Sequence, residues 1–511
     1  MKESEGMWWT LAAIALATIA IYFVTQFRAK KKLPSNTILP PHVWSWIPYV
    51  GSALEMGNGV VSFIRSHGKR LQSPIFTATV LGEKYVFIAD PELLTMVFKS
   101  KYSKYLDSWS LSKTFMIRVV GVEPHEEESM FGDRTFLKMT MRQMHHYLMK
   151  PEQLEIALQR VQGFFRNNLP QLVVATSISD TTTTWVSHDA MFSMVVQSVF
   201  KATVGPIISD CLIQDDSYCE AFRQFDKGVI PLFNKAPSFL TRKARQARAY
   251  LLETLQSQEF LEQASPIVKT RQETIKNLSP AALSKTTLAL IFGAVGNSAP
   301  ALFWCLLHLL HNPAAWEACR AQVESILAKR QQDKDDITFT MADLDQMTLL
   351  ESAFWETLRL YQGNFTARRV TEDFVMETSQ QNYLLEKGTQ LMPFWAVLHH
   401  DPAVFPNPMQ FQYDRFVGAN NKPVFTFASG ATVNYWPVVA FGGGEHYCAG
   451  RKFIAYEARL YLAMLMLNFD MRLAEGETIP GIDRSNIGVG VCHPDREVKV
   501  EIRRRVKDLH S

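Results

Sequence analysis

The feature that most restricts what this chain can fold into is a glycine-rich loop at residues 441–450, which reads Phe-Gly-Gly-Gly-Glu-His-Tyr-Cys-Ala-Gly. Three consecutive glycines allow a backbone to approach a flat ligand closely, because no Cβ atom stands in the way. Cys448 follows them and opens an apolar helix predicted over residues 450–469. The free amides and the dipole at a helix N-terminus favour the thiolate form of such a cysteine. Thiolate is the form that binds iron and donates electron density to it.

Two other interpretations of the loop follow from the same residues. A glycine triplet can cradle a phosphate group, but the Lys-Ser/Thr pair of a phosphate-binding loop does not follow it here. An ordinary turn with a buried cysteine is equally compatible with the loop taken alone, since cysteine often serves as a small buried hydrophobic residue.

Composition excludes several classes of function. The 511 residues carry 53 basic and 50 acidic side chains, a net charge of +3, without a basic stripe interleaved with aromatic residues. Nucleic acid is therefore not an expected partner. No CxxC pair occurs, so the sequence indicates neither a disulfide framework nor a zinc ribbon. The cysteines are Cys211, Cys219, Cys305, Cys319, Cys448 and Cys492.

The N-terminus predicts a membrane anchor over residues 1–33. Residues 7–27 are almost entirely apolar, and a helix of that length spans roughly 30 Å, the thickness of a bilayer core. A basic cluster at residues 28–32 follows, which places the rest of the chain in the cytosol. A cleaved signal peptide is the alternative, and the long apolar run with its basic flank argues against it. The proline-rich residues 34–51 are predicted to be a stiff hinge.

Beyond the hinge, the sequence predicts one large domain over residues 52–511, mainly α-helical with a small β region. Residues 75–89 read as two strands with a turn at Gly82-Glu83. No polar linker long enough to divide the chain appears after residue 51. Helical spacing or length is found at residues 142–148, 153–167, 190–202, 243–262 and 286–311.

The spacing Phe441-x-x-Gly444-x-x-x-Cys448-x-Gly450 resembles the haem-binding signature of the cytochrome P-450 superfamily. The resemblance extends over nearly the whole chain. It implies the cytochrome P-450 fold, haem b as the cofactor and Cys448 as the axial ligand of its iron. It also implies that Phe441, Gly444 and Gly450 belong to the haem-binding loop. His446 would meet a haem propionate, and it is a less common choice of basic residue at that position.

Upstream, Glu356 and Arg359 lie three residues apart in a predicted helix and can pair. Taken alone, this spacing indicates no more than a surface salt bridge worth under roughly 1 kcal/mol. Its order before a loop that contains Arg415 resembles the ExxR helix and arginine loop of the superfamily. The resemblance implies that the three residues form a buried charge network that braces the thiolate loop. It also places Arg368 at a haem propionate, with Arg369 as its rival.

The helix predicted over residues 286–311 departs from the superfamily pattern. That pattern has an acid followed by an alcohol, which deliver protons during oxygen activation, whereas this chain has Gly296 and Asn297. Pro300 cannot donate a hydrogen bond to the carbonyl of Gly296, so we expect a kink that holds water there. Gly296 and Asn297 are the expected catalytic positions, because the carboxamide of Asn297 can orient a water.

Residues 296–304 and 488–496 resemble a clan of sterol 7α- and 12α-hydroxylases, oxysterol hydroxylases and prostacyclin synthase. The resemblance implies a monooxygenase that receives NADPH electrons from NADPH–cytochrome P-450 reductase. It would hydroxylate a steroid, oxysterol, terpenoid or other lipid-like substrate at the endoplasmic reticulum membrane, as a single-pass protein. The alternative is an isomerase that rearranges a lipid endoperoxide, as prostacyclin synthase does. A non-catalytic haem or lipid carrier would not need an anchored thiolate site.

A second contact with the membrane is expected at residues 229–233, Phe239 and Leu240, which are apolar and precede a basic stretch. The alternative is ordinary burial under neighbouring helices.

Overall fold

Helices dominate the part of the chain that the structure, a computed structural model, describes. This part comprises residues 33–47, 49–132, 135–173, 184–329, 338–363, 365–378, 381–417, 439–443, 447–488 and 490–505. Residues 1–32 of the predicted anchor lie outside it. The predicted haem-loop residues Gly444 and His446 also lie outside it.

The α-helices of the described residues are α1 Ala53–Gly57, α2 Val60–Leu71, α3 Pro91–Met96, α4 Ser100–Ser103, α5 Trp109–Phe115, α6 Pro124–Phe131, α7 Thr135–Met149, α8 Pro151–Val173, α9 Met191–Ile207, α10 Ser217–Lys227, α11 Val229–Phe233, α12 Ser238–Thr254, α13 Gln258–Gln263, α14 Pro266–Thr274, α15 Pro280–Val295, α16 Ser298–His311, α17 Pro313–Ala328, α18 Met341–Asp345, α19 Thr348–Tyr361, α20 Ala396–His399 and α21 Arg451–Asn468. Short π and 3₁₀ turns lie at Met116–Val120, Asp210–Ile213 and Arg484–Asn486.

The strands are β1 Thr37–Ile38, β2 His42–Val43, β3 Ile75–Val80, β4 Glu83–Ile88, β5 Leu106–Asp107, β6 Val186–His188, β7 Arg368–Val370, β8 Phe374–Met376, β9 Asn382–Leu385, β10 Gln390–Met392, β11 Phe469–Leu473 and β12 Val500–Arg504. They form a six-stranded sheet in the order β2-β3-β4-β10-β7-β5 and two three-stranded sheets, β1-β9-β8 and β11-β12-β6.

Contacts within the chain group it into two compact units, where the sequence predicts one large domain. The first unit is discontinuous and is made of Met1–Ser108 and Thr366–Leu398. Its described part holds the six-stranded sheet and the sheet β1-β9-β8. The second unit, Trp109–Phe365 and His399–Ser511, holds the long helices and the third sheet.

In the first unit, the predicted pair of strands is present as the hairpin β3–β4. The strands pair antiparallel with Val80 opposite Glu83, so the turn lies at Leu81 and Gly82, one residue earlier than predicted. Both turn residues have positive φ angles, 49° and 80°. That geometry matches the right-handed twist of the strands it joins.

Residues 34–51, which the sequence predicts to be a hinge, contribute two short strands to the first unit. β1 pairs in parallel with β9, and β2 pairs in parallel with β3. Gly51 lies so close to β3 that a Cβ atom there would sit 1.9 Å from the Thr79 carbonyl oxygen. The segment is therefore held along the sheets by backbone pairing.

In the second unit, the helix predicted over residues 286–311 is present as α15 and α16. Within the described residues, the run Pro280–His311 is the one helix long and apolar enough to cross a membrane, and most of it is buried inside the protein. All residues of α16 from Ser298 to Leu310 are buried, as in the central helix of a core. The helix predicted over residues 243–262 is instead two helices, α12 and α13, because Ser257 caps a new N-terminus by accepting from the Phe260 amide.

Candidate active site

The thiolate loop is closed by a backbone hydrogen bond across its base. The amide of Cys448 donates to the carbonyl of Phe441 at 2.9 Å. Gly442 has φ +72°, a backbone conformation that favours glycine. The Phe441 ring lies edge-on to Trp355 of α19, 5.6 Å between centroids. The loop therefore presents Cys448 directly before α21, which begins at Arg451 as the sequence predicts within one residue.

The sulfur of Cys448 has the environment of a ligand to a metal. Burial raises the pKa of the thiol, while hydrogen bonds from the backbone amides of Gly450 and Arg451 and the charge of Arg451 lower it. The residue nevertheless remains accessible to water, so the sulfur is surrounded by protein atoms but not covered by them. Two amide donors stabilise a thiolate once a metal replaces the proton. These residues fit the axial ligation of a haem iron.

Behind the loop, Glu356, Arg359 and Arg415 form the predicted charge network. Arg359 donates to both oxygens of Glu356 at 2.8 Å, and the Nε of Arg415 donates to the same two oxygens at 3.0 Å. The backbone amide of Gln412 adds a further donor at 3.1 Å. The side chains of Glu356 and Arg359 are 0% exposed, so the pairing lies in the interior and is not the surface salt bridge that the spacing alone suggests.

Two residues near this network, His399 and Gln362, bind the backbone just before the thiolate loop. Arg359 also donates to the backbone carbonyl of His399 at 2.7 Å. The Nε2 atom of His399 in turn accepts from the amide of Val439 at 3.0 Å. Burial lowers the pKa of His399 well below its usual value, which keeps the ring neutral and able to accept. Gln362, just after α19, donates to the carbonyl of Ala440 at 2.8 Å.

In the first unit, Arg368 and Arg369 differ in burial. Arg368, on β7, is buried, and its Nη1 donates to the carbonyls of Ala367 at 2.9 Å and Thr366 at 3.4 Å. Burial lowers the pKa of its guanidinium to about 10, against the opposing charge of Asp107. Arg369 is exposed. A buried guanidinium is the better candidate of the two for an anionic group such as a propionate.

The long helix is interrupted where the sequence predicts a kink. α15 ends at Val295 and α16 begins at Ser298, with Gly296 and Asn297 between them. Pro300 has no amide hydrogen, so the carbonyl of Gly296 loses its helical donor. The Asn297 carbonyl still accepts from the amide of Ala301 at 3.2 Å.

Two distant sequence stretches meet at this interruption. The Oδ1 atom of Asn297 accepts from the amide of Val491 at 3.0 Å, and the indole nitrogen of Trp304 donates to the carbonyl of Cys492 at 2.7 Å. A Cβ atom at Gly490 would lie 1.6 Å from Asn297 Oδ1, so a side chain there would displace the Asn297 carboxamide from this contact. The stretches that carry the resemblance to sterol hydroxylases therefore form one hydrogen-bonded unit. The contact uses the Oδ1 acceptor of Asn297.

Sequence reasoning missed His399, Gln362 and the role of Val491. His399 and Gln362 act through single hydrogen bonds to backbone atoms 40 and 78 residues away, which no local pattern encodes. The one signal in the sequence was Gly490, a glycine inside the stretch 488–496, which allows the close approach of Asn297.

The sequence is similar to a family model and to several known proteins. The family model described as Cytochrome P450 matches residues 41–501. The chain is 28% identical to Cytochrome P450 7A1 of Sus scrofa, covering 92% of this chain and 94% of that protein. It is 29% identical to 25-hydroxycholesterol 7-alpha-hydroxylase of Rattus norvegicus, covering 68% and 83%. It is 25% identical to 5-beta-cholestane-3-alpha,7-alpha-diol 12-alpha-hydroxylase of Sus scrofa, covering 98% and 99%.

A solved structure shows the same fold. Retinoic acid-bound cyanobacterial CYP120A1 superposes with a TM-score of 0.65 at 19% sequence identity, covering 92% of this chain and 100% of that chain. At 19% identity this likeness shows the fold alone. The family is shown by the family model, which matches residues 41–501. The thiolate loop, the buried network behind it and a family match over most of the chain lead to one conclusion: the chain belongs to the cytochrome P450 family.

Proposed function

We propose that this monooxygenase hydroxylates a sterol, using O2 and NADPH electrons delivered by a reductase. The observation that carries the proposal is the accessible Cys448, presented directly before α21 by a loop that a backbone hydrogen bond from Cys448 to Phe441 closes. The buried network of Glu356, Arg359 and Arg415 is linked through His399 to the chain just before that loop. Membership of the family implies a haem iron as the cofactor.

Each group in the site has one task in this proposal. When bound, haem supplies an iron that Cys448 holds as thiolate and at which dioxygen is reduced. Arg368 binds a propionate, and Phe441 and Gly450 shape the loop that carries the sulfur. Asn297 orients a water with its Nδ2 group. The predicted loop residues Gly444 and His446 keep their proposed places in the haem loop and at a propionate.

The carbonyl of Gly296, freed by Pro300, is the second group that holds this water. A carbonyl accepts a hydrogen bond and an amino group donates one, so together they fix both the position and the orientation of the water. Neither group titrates, so neither supplies a proton itself.

The relatives point to sterols within the range of substrates that the sequence leaves open. The names of two of them state that they hydroxylate 25-hydroxycholesterol and a cholestane diol. Those proteins are also similar to this chain over most of its length, which favours a sterol over a terpenoid. None of the three names states an isomerase, so the endoperoxide isomerase alternative gains no support from them.

We further propose that residues 1–33 anchor the chain in the endoplasmic reticulum membrane, with the catalytic part in the cytosol. In the first unit, Trp46, just after the anchor, is 98% exposed. In the second unit, Phe239 and Leu240 are exposed as predicted, whereas Val229 and Leu232 of α11 are buried. Exposed large apolar side chains near basic residues suit a bilayer interface. Protein lacking residues 1–33 should still bind vesicles, and the double variant Phe239→Ser/Leu240→Ser should bind them less.

The test measures first the thiolate ligand of the haem iron and then the hydroxylated product. Reduced, CO-bound protein should show the red-shifted Soret band of a thiolate-ligated haem, Cys448→Ser should abolish it, and Cys211→Ser should leave it unchanged. With NADPH–cytochrome P-450 reductase, a panel of sterols should yield a product heavier by one oxygen atom. A spectrum typical of a histidine-ligated haem would contradict the assignment of Cys448 as the ligand. Turnover of an endoperoxide without oxygen and reductase would contradict the monooxygenase reaction.

A further inference from the structure

A small pocket lies beside the interruption of the long helix. Its described lining combines the end of α10, the start of α11, the break itself and the C-terminal segment that bonds to Asn297. These residues are Asp226, Val229, Phe292, Gly296, Asn297, Asn486, Gly490, Val491 and His493. Two of them carry ionisable side chains, Asp226 and His493.

The size of the pocket limits what it can hold. The space open to the centre of a water molecule measures about 10 Å³. A volume near 10–15 Å³ holds about one ordered water, so the pocket has room for one. Polar groups on several sides give such a water the hydrogen-bond partners that it requires.

Asp226 and His493 face each other as a loosely coupled pair. The Nε2 atom of His493 lies 3.5 Å from Oδ2 of Asp226, and the two side chains are 11% and 17% exposed. Burial raises the pKa of Asp226, with His493 and Lys227 opposing the rise. A carboxyl group in this setting holds a proton at higher pH than one on the surface.

The backbone ties His493 to the proposed catalytic residue. Two positions earlier, the amide of Val491 donates to Oδ1 of Asn297. The carbonyl of His493 accepts from the amide of Asp483 at 2.8 Å, and its ring packs against Phe192 at 5.5 Å between centroids. The imidazole is therefore fixed relative to Asn297.

Neither Gly296 nor Asn297 can act as an acid, so these two positions do not themselves supply the protons that oxygen reduction takes. We propose that Asp226, partnered by His493, supplies protons to the pocket water at Asn297. The inference rests on the monooxygenase function proposed above. Asp226 acts through that water, so it is a positioning and relay residue and not one that touches the reacting atoms.

The balance of the reaction defines the task of the relay. Each monooxygenation takes two electrons from the reductase and two protons, places one oxygen atom of O2 in the substrate and releases the other as water. Asp226 in its acid form breaks its O–H bond to protonate the pocket water, which passes one of its own protons onward beside Asn297. The carboxylate, stabilised by His493, then regains a proton from solvent.

The experiment uses the full-length enzyme with reductase and compares Asp226→Asn with wild type on cholesterol and 25-hydroxycholesterol. NADPH-driven hydroxylation should fall about 100-fold, at the low end of what a positioned acid or base contributes. The rate ratio between H2O and D2O should increase, because proton transfer becomes limiting. Hydroxylation driven by cumene hydroperoxide, which is already reduced and carries its proton, should stay within about twofold of wild type.

Three controls separate the relay from a structural role. Asp226→Glu should restore most of the NADPH-driven rate. Glu220→Gln, an exposed carboxylate on the same helix, should change nothing. The CO spectrum reports whether each variant folds with its thiolate, and His493→Asn gives a second, milder probe of the same pair.

Two results would overturn the relay. One is an equal loss of NADPH-driven and hydroperoxide-driven activity in Asp226→Asn. The other is a loss of sterol binding with an unchanged rate at saturation, which would make Asp226 an anchor for a substrate hydroxyl. If wild type hydroxylates neither sterol, the substrate class fails separately. The relay is then tested by substrate-free oxygen reduction with NADPH and reductase. Asp226→Asn should slow this reaction and increase its rate ratio between H2O and D2O, and an unchanged rate and ratio would contradict the relay.

Discussion

Two charged clusters in the second unit differ in how completely their hydrogen bonds are made. Both oxygens of Glu356 accept from Arg359 and Arg415, and these side chains are at most 5% exposed. Asp226 has one long contact of 3.5 Å to His493 and remains 17% exposed. A saturated network resists any change of charge, because each member compensates the others. A loose pair can take up and release a proton.

The saturated cluster also reaches the backbone around it. Arg415 donates to the carbonyls of Pro406 at 2.8 Å and Gln410 at 3.1 Å, and Arg359 donates to that of Pro408 at 2.6 Å. These bonds fold the chain before the thiolate loop around the network. The comparison teaches that a buried carboxylate joins the scaffold when each of its oxygens is paired, whereas the loosely paired Asp226 keeps the freedom that the proposed relay requires.

The largest effect is expected from breaking the saturated cluster. Arg359→Ala leaves the buried carboxylate of Glu356 undercompensated, which costs on the order of 3–5 kcal/mol. Purified variant should contain little haem, measured as the ratio of Soret to protein absorbance. Arg472→Ala, which removes an exposed pair with Glu501, should cost under about 1 kcal/mol. A variant of Arg359 that loads haem fully and only turns over more slowly would contradict the scaffold role.

A third buried carboxyl group, that of Glu457, extends the comparison. Its hydrogen-bond partner in the described residues is a hydroxyl group and not a cation. Glu457 of α21 is fully buried, accepts from the Thr203 hydroxyl at 2.5 Å, and in the described residues its Oε2 has no hydrogen-bond partner. Burial raises its pKa to about 8. The folded state then binds a proton that the unfolded state has lost between about pH 4.5 and 8.

Stability should therefore fall as pH rises through that window, by at most about 1.4 kcal/mol per pH unit. Glu457→Gln keeps the hydrogen bond with Thr203 and cannot ionise. Urea unfolding at pH 5.5 and pH 7.5 should show a loss in wild type that exceeds the loss in the variant by up to about 3 kcal/mol. Equal losses in the two proteins would show that Glu457 does not hold its proton.

A smaller effect is expected from the hydrogen bond that ties α16 to the C-terminal segment at Cys492. Trp304 is fully buried, stacks on Tyr361 at 3.8 Å between centroids, and donates to the carbonyl of Cys492. Trp304→Phe keeps an aromatic ring but removes the donor, at a cost of about 1–3 kcal/mol in the free energy of unfolding. Peroxide release should rise if the segment beside Asn297 loosens. Wild-type stability in this variant would mean that the hydrogen bond does not hold the segment.

The smallest change in stability and the clearest change in chemistry are expected from Asn297→Ala. Val491 loses one partly buried acceptor, at a cost of about 1 kcal/mol. Because the water is no longer oriented, NADPH is still consumed while peroxide rises and hydroxylated product falls. Product and peroxide per NADPH measure this uncoupling directly. Unchanged coupling would remove Asn297 from the catalytic positions.

The sequence by itself determined the features that local patterns encode. Cys448 at the start of an apolar helix, the pairing of Glu356 with Arg359 and the break before Pro300 all follow from spacing of at most a few residues. The hairpin β3–β4 follows from alternation, apart from a one-residue shift of its turn. The resemblance in the order of the motifs implied a place for Arg415 in the network, and its Nε lies 3.0 Å from both oxygens of Glu356.

Only the tertiary structure decided which distant groups meet. Asn297 and Val491 are 194 residues apart, and no periodicity specifies that the carboxamide of one accepts from the amide of the other. The same holds for Asp226 and His493, which read as ordinary polar positions in the sequence. Their proximity depends on how α10, the broken helix and the C-terminal segment pack, and packing selects partners by shape and burial and not by sequence spacing.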